Sequence, residues 1–201
     1  MSNESATRKN RRTLILLALL LCGPFIASYT LYFLDVRPGT VNYGELVEVK
    51  TLKGTASNEI DDTIFRMRQL RGKWALISVD SGKCDEPCRQ KLYYMRQVRL
   101  IQNAERERVE RVWLIDDGIT PSSELIREYE GLWVINAKAS ELLKGLPTST
   151  SPRDHIYVVD PIGNLMMRFP KDPNPSKMAK DIKHLLKVSQ LEHAMGTDNK
   201  H

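Results

Sequence analysis

Cysteine is scarce in this chain, with three in 201 residues. That excludes a small fold stapled by several disulfides. A massed basic segment is missing as well. The formal net charge is +5, but the 30 Lys and Arg are scattered and offset by 25 Asp and Glu. Part of the excess sits in one cluster near the N-terminus, and this pattern argues against nucleic-acid binding. There is no internal repeat and no low-complexity stretch. What remains is ordinary for a globular protein, 41% hydrophobic and 27% charged, and the length allows one domain with an appendage.

Charge is also absent from one long stretch. Thr13 to Leu34 is 22 residues without Asp, Glu, Lys or Arg. At ~1.5 Å per residue it spans ~33 Å, enough for the hydrocarbon core of a bilayer. Tyr29, Tyr32 and Phe33 fit an interfacial aromatic belt. Arg8, Lys9, Arg11 and Arg12 precede the stretch, which puts the N-terminus in the cytoplasm. A cleaved signal peptide competes with this reading. The stretch is longer than a signal core, however, and Ala27-Ser28-Tyr29 is a poor cleavage site, although Leu21-Cys22-Gly23 faintly suggests a lipoprotein acceptor. The expected organisation is a basic cytoplasmic tail (1–12), a transmembrane helix (13–34), a tether (35–41), an exported domain (42–195) and a disordered tail (196–201). A bacterial inner-membrane protein with its domain in the periplasm fits this order.

Within the domain, Val47 to Lys50 alternates like an edge strand, and 51–63 reads as a polar loop. Trp74 to Val79 is a short apolar run, a strand covered on both faces. Leu92, Met95, Val98 and Ile101 then recur near the helical period, predicting a helix to about Glu107. Val109–Ile115 and Trp133–Ile135 are further buried strands. Between them Pro121-Ser122-Ser123-Glu124 opens a short helix, and Ala137–Leu143 reads as another. His155–Val159, the turn Asp160-Pro161-Ile162-Gly163 and Leu165–Phe169 form a hairpin. Ser176 to about Met195 is a closing amphipathic helix. Two βα units, a hairpin and a terminal helix predict an α/β, three-layer sandwich of the thioredoxin type.

Cys84 and Cys88 fall at the corner between the first core strand and its helix. Unpaired N–H groups and the helix dipole there favour thiolate. The C-x-x-x-C spacing leaves three readings open: a soft-metal site for Cu(I), a redox couple, or a structural disulfide. Asp116 and Asp117 end a core strand and are weaker site candidates, as are Met166 and Met167. Arg89, Lys91, Arg96 and Arg99 give the first helix a basic, solvated face.

Gly72-Lys73-Trp74-Ala75-Leu76-Ile77 with Cys84-Asp85-Glu86-Pro87-Cys88, then Trp113-Leu114-Ile115-Asp116-Asp117 and Tyr157-Val158-Val159-Asp160-Pro161-Ile162-Gly163, resembles the Sco/SenC family. These are membrane-anchored, thioredoxin-fold copper chaperones of cytochrome c oxidase assembly. The resemblance implies that Cys84 and Cys88 bind Cu(I) and deliver it to an oxidase subunit or another copper-assembly factor. Thiol–disulfide exchange that keeps oxidase cysteines reduced is the alternative, as is a non-catalytic factor with a fixed disulfide. As a divergent member, the chain has Arg89 where the family has proline. The family's ligand histidine would fall on Pro152, which on the same resemblance is a candidate for the cis-proline facing the cysteines in thioredoxin-like folds. His155, three residues later, is the candidate third ligand. On a regular strand it would face the other side of the sheet; a rearranged loop would restore it.

Overall fold

The computed structural model describes residues 3–33, 42–148 and 150–198. The expected tether, and 199–201 of the expected tail, lie outside them. Two compact units divide the chain near Val41. The first contains α1 (Asn3–Phe33), with Pro24 inside it. Its segment Thr13–Thr30, of mean hydropathy 2.0, is long and apolar enough to cross a membrane.

The second unit is built on one eight-stranded mixed sheet: β1 (Glu45–Thr51), β2 (Ala56–Asn58), β3 (Ile64–Phe65), β4 (Trp74–Asp80), β5 (Val109–Ile115), β6 (Leu132–Asn136), β7 (Ile156–Val159) and β8 (Asn164–Phe169). The spatial order is β1-β8-β7-β4-β5-β6-β2-β3. β4 lies at the centre, parallel to β5 and antiparallel to β7. Every residue of β4 is buried, which is why it reads as an apolar run rather than an alternating one. Gly163 (φ 98°) takes the left-handed position that closes the β7–β8 turn.

Alternation along the strands sorts the core into two layers. Trp74, Leu76, Trp113, Ile156 and Val158 pack with α2 (Glu86–Ile101), α3 (Ser123–Glu128) and α5 (Pro175–Asp198). Ala75, Ile77, Val79, Val112, Leu114 and Tyr157 pack on the opposite side with Met67 and Leu70 of a 3-10 turn and Leu142 of α4 (Glu141–Lys144). Helices therefore cover both faces, as the sequence predicts.

Three elements differ from the reading above. The polar segment 51–63 contains β2, and with β3 it builds the sheet edge beyond β6. Strands of three and two residues carry no periodic signal. α2 stops at Ile101, and Asn103–Arg108 continues as 3-10 turns after Asn103 takes φ 51°. α4 is shorter than expected because Ser140 caps it, accepting from the Leu142 N–H.

Candidate functional site

β4 and β5 run parallel and end at the same rim of the sheet. Asp80 closes β4, and a five-residue corner leads into α2. Asp85 is the N-cap: its carboxylate accepts from the Cys88 N–H at 3.3 Å, and Pro87 sits in the first turn, where no donor is needed. Cys88 is the third helical residue. Cys84, just before the cap, has φ 45°, a conformation costing an L-residue about 1 kcal/mol. The corner thus folds back far enough to bring the two Cα atoms to 5.1 Å, and Cys84 and Cys88 form a disulfide. Both are buried, at 2% and 0% exposure, within the core layer that carries α2.

A second loop shuts the corner. Asp117 Oδ1 accepts from the N–H groups of Gly82 (3.1 Å) and Ile119 (3.0 Å). Residue 82 has to be glycine, because a Cβ there would run into the Ile119 carbonyl. Burial works against the Asp117 carboxylate, but hydrogen bonds from the Ser81 hydroxyl and these two amides, with the charge of Arg153, hold its pKa below the ordinary value. Asp116 is clamped in bidentate fashion by Arg153, with Nε at 2.8 Å and Nη2 at 2.6 Å. Hydrogen bonding to Asp116 raises the Arg153 pKa further.

Beside the disulfide lies a buried ion pair. Lys91, one turn beyond Cys88, places Nζ 2.6 Å from Asp80 Oδ2, 3.1 Å from the Val79 carbonyl and 2.6 Å from the Arg153 carbonyl. All three ammonium protons therefore have acceptors, and the side chain ties α2 to the end of β4 and to the 3-10 turn Pro152–Asp154. This corrects the reading of Lys91 as part of a solvated face. The signal was present: Cys88, Lys91, Leu92, Met95 and Val98 share one helical face, and all five are buried. A cleft of about 420 Å³ opens next to them, lined among others by Asp85, Pro87, Lys91, Arg153 and Lys171.

His155 is placed away from the cysteines. It precedes β7, where Ile156 belongs to the cysteine layer and Tyr157 to the opposite one. The His155 ring lies edge-on to Tyr157, at 5.8 Å between centroids, and its Nδ1 is 3.0 Å from the Phe169 carbonyl. The 152–154 turn does not restore it to the cysteine side. Among the described residues no group of three His, Cys, Asp or Glu gathers as a metal site, and no peptide bond is cis, so Pro152 is trans. Met167 is core, Met166 is half-buried and His184 is exposed. The His193 side chain and His201 lie outside the described residues.

Residues 74–189 match the family model of the transmembrane-like, thioredoxin-like, C-terminal domain. Among curated proteins the sequence finds no match. Solved structures with a similar fold include Bradyrhizobium japonicum ScoI with copper bound, at 17% identity over 67% of this chain and 99% of that one, with a TM-score of 0.52. Yeast Sco1 with copper bound has 14% identity over 74% and 95%, TM-score 0.54. BsSco, a member of the Sco family of cytochrome c oxidase assembly proteins in which a disulfide switch was identified, has 16% identity over 75% and 95%, TM-score 0.52. The chain belongs to the transmembrane-like, thioredoxin-like C-terminal domain family, and its α/β domain has the fold of the Sco/SenC proteins.

Proposed function

We propose that this chain is a membrane-anchored, Sco-like assembly factor whose Cys84–Cys88 pair works as a reversible dithiol–disulfide couple toward the cysteines of a cytochrome c oxidase subunit or another copper-assembly factor. The observation that carries this is the closed pair at the strand–helix corner, with His155 on the far side of the sheet. Two sulfurs suffice for a two-electron exchange, whereas a three-ligand copper site needs a third donor, and among the described residues no His, Asp or Glu gathers with the pair. In the reaction, a thiolate of the reduced pair attacks a partner disulfide, whose leaving sulfur takes a proton. The second thiolate then attacks the mixed disulfide, releasing a partner dithiol and the Cys84–Cys88 disulfide. A dithiol reductant on the same side of the membrane would reset the pair. The expected setting is the periplasmic side of a bacterial inner membrane.

Copper delivery is the second reading, favoured by the C-x-x-x-C spacing and by the copper-bound ScoI and Sco1 structures that share the fold. Two soft thiolates alone suit Cu(I). The deciding experiment takes the full chain in detergent, equilibrates it with glutathione buffers, and follows reduction of a two-cysteine peptide. Turnover that stops in Cys84→Ser and Cys88→Ser, with a trapped mixed disulfide in one of them, is expected. A disulfide that stays inert in the folded protein would leave only a structural bridge. In parallel, anaerobic Cu(I) titration of the reduced chain against a chelator tests delivery. Its His155→Ala variant is expected to bind as the parent does, and weaker binding would put His155 in the site.

A further inference from the structure

From Lys177 to Lys187 the exposed face of α5 is positive. Lys177, Lys180, Lys183 and Lys187 recur at three- and four-residue steps with His184 next to Lys183, and all are exposed, while Met178, Ala179, Ile182 and Leu186 are buried on the other side. Between Pro175 and Gln190 the one acidic residue is Asp181, which is buried and accepts from the Gly44 N–H at 2.8 Å. None of the four lysines forms an ion pair among the described residues. Ile101, itself exposed, borders a hollow with Lys183 and Lys187. Apolar tips among cations are what interfacial binding to lipid uses.

The same helix receives the chain as it enters the domain. The Tyr43 hydroxyl accepts from the Asn174 N–H at 3.0 Å, Lys177 sits over the Tyr43 ring at 5.3 Å, and Gly44 is held by Asp181. Nine residues, 34–42, separate Phe33 from Tyr43, a reach of at most ~32 Å. If α1 is the membrane anchor, the chain leaving it enters the domain at the start of α5, the helix that carries the lysine stripe.

We infer that the α5 lysine face docks on anionic phospholipid headgroups of the membrane that holds the chain. This inference rests on the anchor reading of α1. Docking would fix the orientation of the domain, and so the height and direction at which the Cys84–Cys88 corner meets a partner.

The test places the full chain, as Cys22→Ser with a fluorophore on Val188→Cys, in nanodiscs containing a quencher-bearing lipid, with or without phosphatidylglycerol. Quenching that requires phosphatidylglycerol and fades in molar salt is expected. Lys180→Gln/Lys183→Gln/Lys187→Gln should reduce the docking equilibrium on the order of a hundredfold, about fivefold per lysine, and the three arginine variants should retain it. Quenching that ignores lipid charge, or survives the triple glutamine change, overturns the inference. A chain that fails to enter nanodiscs of either composition refutes the anchor instead. Sedimentation with phosphatidylglycerol vesicles then decides docking alone, since a lysine-dependent shift into the pellet supports it and none overturns it.

Discussion

The two faces of the central sheet are built from the same strands but to different rules. On the side covered by α4 and the 3-10 turn, the fully buried residues of β4 and β5 are Ala75, Ile77, Val79, Val112 and Leu114, all apolar, while Glu110 at the start of β5 is half-buried and bonded to Lys73 and the Trp133 indole N–H. On the cysteine side, the alternate positions of those strands include Ser78, Asp80 and Arg111, all buried. Ser78 Oγ, Trp113 Nε1 and two nitrogens of Arg111 are buried there with no hydrogen-bond partner among the described residues. Burial, with the charges of Arg99 and Arg96 beside it, pushes the Arg111 pKa down to about 10. One face is packed for stability, and the other accepts polar groups that a pure core would exclude. Of these, Asp80 lies at the site, paired with Lys91 and lining the cleft, and departures from a pure core gather where a fold is used.

The sharpest way to break this contrast is to remove one partner of the buried pair. Lys91→Met leaves Asp80 buried without its cation, and the expected loss is about 3–5 kcal/mol. Adding Asp80→Asn should recover most of it, which would identify the cost as stranded charge rather than lost packing. Denaturant unfolding followed by fluorescence reads both variants, since Trp74, Trp113 and Trp133 all lie in the domain. Next come two neighbours on opposite faces. Ile77→Ala should cost about 2–5 kcal/mol through its cavity. Ser78→Ala removes an unpartnered hydroxyl and should be neutral or stabilising by about 1 kcal/mol. Equal losses at the two positions would erase the distinction between the faces.

The apolar face was the legible one. β4, β5 and the β7–β8 hairpin announce themselves as short apolar runs with turn residues between them, and Asp160 and Gly163 mark the hairpin. The position of the cysteines at a strand–helix corner was equally plain, because Asp85 and Pro87 are helix-start residues. Parity placed His155 as well: counted along a regular strand it points away from the cysteines, and the structure keeps it there. The charged network was not legible. Lys91 meets Asp80 from a neighbouring element and the Arg153 carbonyl from 62 residues away. No local pattern encodes such a meeting, and a lysine on a helix is usually solvated. Its place on the buried face of α2 was the one available clue. The β2–β3 edge escaped for a different reason, being too short to show a period.

The disulfide itself should contribute less than the pair beside it. A ring of five residues, Cys84 to Cys88, removes little chain entropy, ~2 kcal/mol in the loop-closure account. Reduction, or Cys84→Ser with Cys88→Ser, should therefore leave the domain folded with an unfolding free energy lower by about that amount. Global unfolding on reduction would recast the bridge as structural and weaken the exchange reading.

The smallest effect tests what shuts the corner. Asp117 receives the amides of Gly82 and Ile119, and its pKa in the fold lies below the ordinary 3.8. A carboxylate held low stabilises the fold fully at pH above its unfolded value, and that contribution is lost as pH falls through the folded value. Asp117→Asn keeps an oxygen to accept both amides and removes only the charge. Near neutral pH it should cost ~0.5 kcal/mol, as for other partly exposed ion contacts, and the difference from the parent should vanish as pH falls through the folded value. The same substitution should speed reduction of Cys84–Cys88 by a small thiol at neutral pH, because the loop over Gly82 is held less firmly. If reduction is unchanged while stability falls, the Asp117 loop supports the fold without gating the sulfurs, and access to them must come from the side of α2 and the cleft.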